Sequence, residues 1–417
     1  MDIKQRIELA NAKAAEVLTK ARPTWIDVQP AGDVIPGMTP DTILIAGPPI
    51  VIDKIPYPVK NAICGALVYE GRAAAPEEAW KLVEDGIIEV KSAQDYNAAC
   101  GACMATSASM PVCVVEDPVY GGRGFCGVHP GNKQNVLRWG FYNEEVQNDL
   151  VWFRDFYGPA LGQTVRAMGG VDLINIMSKT AGMGDENHNR QPAASMQMCM
   201  MLVQTMMDLD FPHRDEIVKQ YAANDRFFLH CMMAGAEAVL ATVKEIPDCS
   251  VMVAMGGNGV EFGMRFAGTG KQWFTVPAPL IKGLFLKPSY TDADLLGFLG
   301  DSCVTEVYGL GGMSASAGPG YVVLTGSTFE DSLQRSADAR QVCVAEHNFA
   351  PIPWDKGQGF PVGVDARKVV GLNILPTSHG GGTLKKGGQG TMGSAKLPMD
   401  CFKQGLIALN KKMQSEG

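Results

Sequence analysis

The residues best suited to do chemistry in this chain lie in one short run, Met183-Gly184-Asp185-Glu186-Asn187-His188-Asn189-Arg190. It puts two acids, an imidazole and a guanidinium within eight positions, and a long apolar stretch follows from Ala193 to Leu209. Acids just ahead of an apolar run mark a helix start, where free backbone N–H groups and the helix dipole favour negative charge. Asp185 is therefore expected at the N-cap, with His188 three residues on. Asp185, His188 and Arg190 could converge there on one small polar ligand. The plainer alternative is a well-capped helix with solvated charges, but Asn187, Asn189 and Gln191 add hydrogen-bonding groups that capping does not require.

Four further segments have the composition of ligand loops. Cys100 to Pro111 offers Thr106, Ser107 and Ser109, whose hydroxyls and N–H groups could meet a carbonyl or phosphate oxygen; an ordinary turn into a strand is the alternative. Its Cys100-x-x-Cys103 pair lacks the second ligand pair that a structural zinc site needs. Met255 to Arg265 contains Asn258, Glu261 and Arg265. Glu261 and Arg265 could form an ion pair or a substrate clamp, and the arginine fork suits a planar carboxylate. Glu306 to Pro319 carries Gly311 and Gly312 but no complete dinucleotide fingerprint, so a small anion fits it better than a nucleotide. Thr377 to Gly390 combines His379, Gly381 and Lys385 with a glycine-rich backbone that could fold around phosphate. His230 falls in an apolar helix and reads as core.

The elements that must position these residues alternate in character. A helix is expected over 1–21, then a strand at 42–49 and a strand-like run at 62–68. A helix near 75–84 and strands at 86–91 and 110–116 follow. From 136 to 245 helical periodicity dominates, and strands return at 250–255 and 320–324. The expected architecture is multi-domain α/β: an N-terminal α/β segment (1–58), a first α/β part (59–135), an inserted all-helical domain (136–245) and a second α/β part with the glycine-rich loops (246–417). The change of periodicity predicts a cleft with 183–190 at its rim.

Composition removes several function classes. The chain has 417 residues, a net charge of −8 and no basic stripe, which argues against a nucleic-acid surface. No membrane span and no signal peptide are expected, and eleven cysteines in mostly apolar patterns imply reduced thiols in a cytoplasm. No metal or cofactor is expected, because no ligand set or nucleotide motif is complete.

Taken together, Ala21 to Pro30, Ala46-Gly47-Pro48-Pro49, Met183 to Arg190 and Asn258 to Arg265, with Thr106 to Pro111 and Gly309 to Met313, resemble the YlbE/AllG-like family. The likeness runs over most of the chain. It implies a carbamoyltransferase subunit working with an FdrA-like protein and a third small subunit, and a homo-oligomeric habit. The implied reaction moves a carbamoyl group between oxalurate and phosphate, giving oxamate and carbamoyl phosphate, in anaerobic allantoin breakdown. On that view His188, with Asp185 and Glu186, takes the catalytic place. Arg190, Thr106, Ser107, Ser109, Asn258, Glu261 and Arg265 bind a carboxylate or ureido substrate. Gly311, Gly312, His379, Gly381 and Lys385 bind phosphate. A non-catalytic scaffold for the FdrA-like partner, or an amidohydrolase or lyase acting on a ureido compound, are the alternatives.

Overall fold

The computed structural model describes residues 2–128, 130–131 and 133–415. The fold is mixed α/β. Its largest sheet has five strands in the order Ala98–Ala99, Arg123–Gly127, Pro111–Glu116, Thr24–Pro30 and Val171–Asp172. A four-stranded sheet runs Phe274–Pro277, Glu261–Phe266, Met252–Asn258 and Leu299–Gly300, and a three-stranded one runs Lys282–Phe285, Gln389–Lys396 and Thr377–Thr383. Two smaller pairs join Cys343–His347 to Phe360–Val364, and Thr42–Ile45 in parallel to Glu89–Ser92.

The helix Phe227–Val243 is the mechanical centre. Fifteen of its 17 residues are buried, because it is apolar all round rather than along one stripe. It presses directly onto the strand Arg123–Gly127. A Cβ on Gly124 would stand 2.1 Å from the Ala234 carbonyl oxygen, and one on Gly122 would stand 2.0 Å from that of Ala238. Glycine at these positions is what lets helix and strand backbones meet. The helix carries one buried charge, Glu237, which Lys244 satisfies at 2.7 Å.

The segment 136–245 is helical apart from Val171–Asp172, which adds an edge strand to the five-stranded sheet. Its helices share one continuous core with residues from Ala14 to Phe402. Four readings of local structure need correction. Residues 62–68 lie inside the helix Tyr57–Tyr69, which starts with Pro58 in its first turn and is buried on several faces, so its apolar run imitates a strand. The run 320–324, with its β-branched valines, lies in the short helix Pro319–Leu324. The glycine run 377–390 is not an open loop: it forms the strand Thr377–Thr383 and the start of its partner, joined by a tight turn with Gly387 and Gly388 at positive φ. The helix after the 183–190 motif begins at Pro192, so the N-cap position belongs to Gln191 and not to Asp185.

All eleven cysteines are free thiols and ten are buried. Burial pushes the Cys100 thiol up to about 12, which makes it a small hydrophobe rather than a nucleophile. Among the described residues no group of three or more His, Cys, Asp or Glu side chains could hold a metal ion, and no single helix is long and apolar enough to cross a membrane.

Candidate functional site: a basic recess above a buried Glu-His cluster

The 183–190 motif is folded around its own carboxylate. Glu186 accepts the backbone N–H groups of His188 at 2.6 Å, Asn189 at 2.9 Å and Arg190 at 3.0 Å. Asp185 reaches nine residues on and accepts the Ala194 N–H at 2.8 Å, so it caps the helix from upstream. Burial raises the Asp185 carboxyl to about 7, against the pull of that hydrogen bond.

Beneath this turn lies a fully buried cluster. His379 Nδ1 stands 3.5 Å from Glu186 Oε1. Arg335 lies 3.3 Å from His379 Nε2, and a guanidinium can only donate, so the histidine proton belongs on Nδ1, facing Glu186. Burial opposes the Glu186 charge, but His379, His188 and the Arg190 N–H together hold its carboxyl below the ordinary range. His188 bonds through Nδ1 to Thr305 Oγ1 at 2.6 Å, and burial lowers its imidazole to about 4. It is neutral at physiological pH and lies away from solvent.

Glu306 is the fourth member. It accepts the N–H groups of Gly312 and His379, each at 2.7 Å, and the hydroxyl of Ser378. Burial raises its carboxyl to about 8. The turn at Gly311 and Gly312 is filled from within the chain by the Glu306 carboxyl group: a Cβ on Gly311 would stand 2.5 Å from Glu306 Oε1.

Above this cluster opens a polar recess with about 580 Å³ of empty space, continuous with solvent. Arg138, Arg226, His230, Asn189, Gln191 and Ser302 line it, with Gly101, Ala102, Gly381 and Gln389. A second compartment shares Arg138, Trp139, Arg226 and Gln389 and adds Lys133 at the mouth. Among the described residues lining the two compartments there is no acid. Burial, and next the neighbouring Arg226 charge, bring the Arg138 guanidinium down to about 10. Two guanidiniums facing one space are the electrostatics of an anion site.

Local structure holds the walls in place. Asp301 accepts the N–H of Gly47 at 2.8 Å and of Cys100 at 3.0 Å, and the Gln94 amide at 2.7 Å. These bonds fix the loop that carries Gly101 and Ala102, and Ala102 is held at a φ of 50°. Gln191 caps the central helix by accepting the Leu229 N–H at 2.6 Å. His230 stands 3.2 Å from Arg138 through Nε2 and 2.8 Å from the Gly127 carbonyl through Nδ1, so it is an uncharged acceptor for the arginine.

The expected substrate residues are mostly elsewhere. Arg265 does not pair with Glu261: the two lie on one β-strand, not a helix, and Arg265 bonds Asp95 at 2.8 Å and the Gly270 carbonyl at 3.2 Å. Glu261 meets Thr275 at 3.5 Å. Asn258 closes a hairpin by accepting the Val260 and Glu261 N–H groups. Thr106 bridges to Leu44, Ser107 is buried, and Ser109 bonds Tyr69 and Glu70, all away from the recess. Lys385 is on the surface, bonded to the Ala293 carbonyl. Arg190 is exposed beside the turn. Of the fifteen candidates only Gly381 lines the recess itself, although Asp185, Glu186, His188, Gly311, Gly312 and His379 meet in the buried ground around it. Sequence reading missed Arg138, Arg226 and His230. Isolated arginines carry no local pattern, and His230 sits in a helix whose apolar surroundings hide it.

Fold and recess define a mixed α/β protein with a recess lined by two arginines. The family model for oxamate carbamoyltransferase subunit AllG matches residues 88–302, which include most of the recess. The chain is 34% identical to oxamate carbamoyltransferase subunit AllG of Escherichia coli K12, over 97% of this chain and 98% of that one. It is 32% identical to the E. coli protein YahG over 96% of this chain and 86% of that one. A crystal structure of a conserved protein of unknown function from Enterococcus faecalis V583 superposes with a TM-score of 0.94 at 31% identity, covering 98% of this chain and 99% of that one. The chain belongs to the AllG family.

Proposed function

We propose that this chain is a subunit of a carbamoyltransferase that moves a carbamoyl group between oxalurate and phosphate. The observation that carries the reading is the pairing of Arg138 and Arg226 over a recess with no acid among its described lining residues. Two anions must meet for this reaction, and their repulsion is relieved where guanidiniums replace water. The name of the E. coli relative supports the same direction.

In the direction that forms carbamoyl phosphate, an oxygen of hydrogen phosphate attacks the ureido carbonyl carbon of oxalurate. The C–N bond to the oxalyl amide then breaks. The proton lost by phosphate passes to that nitrogen, which leaves as the amide of oxamate. The step needs no covalent enzyme intermediate and no change of oxidation state. In this reading Arg138, held by His230, takes the carboxylate, and Arg226 faces the phosphate. The chain acts in the cytoplasm, in anaerobic allantoin catabolism. It self-associates and assembles with an FdrA-like protein and a third small subunit.

The test is production of carbamoyl phosphate from oxalurate and phosphate by the chain combined with those two partners. Arg226→Gln should remove most of the activity while leaving the assembly intact. Ureido hydrolysis that proceeds without phosphate would turn the reading into an amidohydrolase. Full activity in both Arg138→Gln and Arg226→Gln assemblies would make the chain a scaffold.

A further inference from the structure

Asn189 is a lining residue of the recess whose position is closely determined and whose side-chain amide is unused among the described residues. Its backbone N–H is held by both oxygens of Glu186, at 2.9 and 3.2 Å. The turn around it is closed by a 3.1 Å bond from the Asn187 N–H to the Arg190 carbonyl, with Asn187 at a φ of 59°. Below, His379 meets Glu186, and Arg335 meets His379. All that ordering places one amide at the recess wall, and its Nδ2 is buried with no hydrogen-bond partner among the described residues.

A buried amide donor without a partner is costly and is seldom left so. The neighbouring amides are engaged: Gln191 bonds the His188 carbonyl and the Leu229 N–H, and Gln389 bonds the Thr391 carbonyl. Asn189 is thus a neutral donor held ready in a recess lined by two guanidiniums, with nothing among the described residues to receive it.

We propose that Asn189 is a catalytic residue: its side-chain amide donates to the ureido carbonyl oxygen as that oxygen gains charge. This rests on the reaction proposed above. As the phosphate oxygen bonds to the carbonyl carbon, the C=O π pair moves onto the oxygen, where Nδ2–H receives it. When the tetrahedral intermediate collapses, the pair returns, the C–N bond breaks, and the departing nitrogen takes the proton that phosphate has lost. Glu186 is the positioning residue for this donor, since its carboxylate sets the turn that aims Asn189.

The experiment is steady-state kinetics on the full assembly carrying Asn189→Ala or Asn189→Asp, with oxamate titrated by calorimetry as a check on the recess. Removing one oxyanion donor costs roughly a hundred- to a thousandfold in kcat. The expected result is a loss of that size for Asn189→Ala, a larger loss for Asn189→Asp, which puts a negative charge beside the oxyanion, and little change in oxamate affinity or melting temperature. A kcat within threefold of wild type in Asn189→Ala, or an Asn189→Asp variant more active than Asn189→Ala, would overturn the assignment. So would a kcat loss matched by an equal loss of oxamate binding. A wild-type assembly that makes no carbamoyl phosphate would instead bring down the proposed reaction.

Discussion

Glu306 Oε1 lies 2.7 Å from the backbone nitrogen of Gly312, so the glycine turn is filled by a carboxyl group of the chain itself. Because burial dominates, the carboxyl titrates near 8 instead of at the ordinary value of 4.5. A raised acid is bound more tightly to its proton in the folded state. Its contribution to stability is whole below 4.5 and is lost as pH rises through about 8.

The first expectation follows from that sign. Between pH 6.5 and 9 the melting temperature of the wild type should fall, with Asp301, raised to about 7 by burial, adding to the trend. Glu306→Gln keeps acceptors for both N–H groups and cannot ionise. It should flatten the fall by about 1–2 kcal/mol across the window. Thermal melts of both proteins at four or five pH values decide it, and parallel curves would reject it.

His188 predicts the opposite slope at the acid end. Its imidazole is depressed to about 4, so its contribution is whole above 6.5 and disappears as pH falls toward 4. The expected outcome for His188→Gln is weaker acid destabilisation than wild type between pH 6 and 4. Denaturant titrations at those two pH values measure it.

Arg265 belongs to the framework. Arg265→Lys loses the contact to the Gly270 carbonyl or to Asp95, since an ammonium cannot span both at the guanidinium's geometry. Stability should drop by roughly 1–3 kcal/mol, the cost of leaving a buried polar partner unmade, with oxamate affinity unchanged. A variant that melts like wild type but binds oxamate poorly would return Arg265 to the substrate.

Arg138→Lys should behave in the reverse manner. Loss of the fork should weaken a carboxylate ligand about ten- to a hundredfold, a larger effect than the stability lost with the His230 contact. Calorimetric titration with oxamate, alongside a thermal melt, separates the two arginines.

The contact between strand and central helix gives a purely steric expectation. Gly124→Ala places a methyl group 2.1 Å from the Ala234 carbonyl oxygen and 2.4 Å from the Ala238 nitrogen. Both neighbours are backbone and cannot swing aside. The cost should be about 1–3 kcal/mol or more, with soluble yield falling in step. Gly121→Ala, with open space at its Cβ, is the control, strained only through its φ of 81°.

Sequence legibility followed locality. The α/β alternation, the strand at 110–116 and the helical stretch 136–245 are written in periodicity, which depends on near neighbours. The 183–190 motif stood out because its polar residues are contiguous, but the expected N-cap at Asp185 belongs to Gln191, and the Glu186 carboxylate organises the turn itself. Helix Tyr57–Tyr69 was hidden because burial on several faces erases the 3.6-residue pattern. Arg265 pairs with Asp95, 170 positions away, and Arg138 with His230, 92 away. Nothing in local spacing announces such partners. Glycine runs marked close backbone approach correctly in kind, but could not say whether a ligand, a carboxylate of the chain or a neighbouring helix would come close.

The helix Phe227–Val243 is seated on glycine backbone with no clearance, and its first turns carry Leu229, His230 and Met233 into the recess wall. That side of the recess is a fixed jaw. It cannot retreat, because any movement toward the sheet drives Ala234 and Ala238 into the strand. Discrimination between short and long ligands therefore falls to the opposite side, where the loop at Gly101 and Ala102, the turn at Asn189 and the hairpin at Gly381 and Gln389 meet. Selection for a longer or bulkier ligand would leave its changes there and spare the helix.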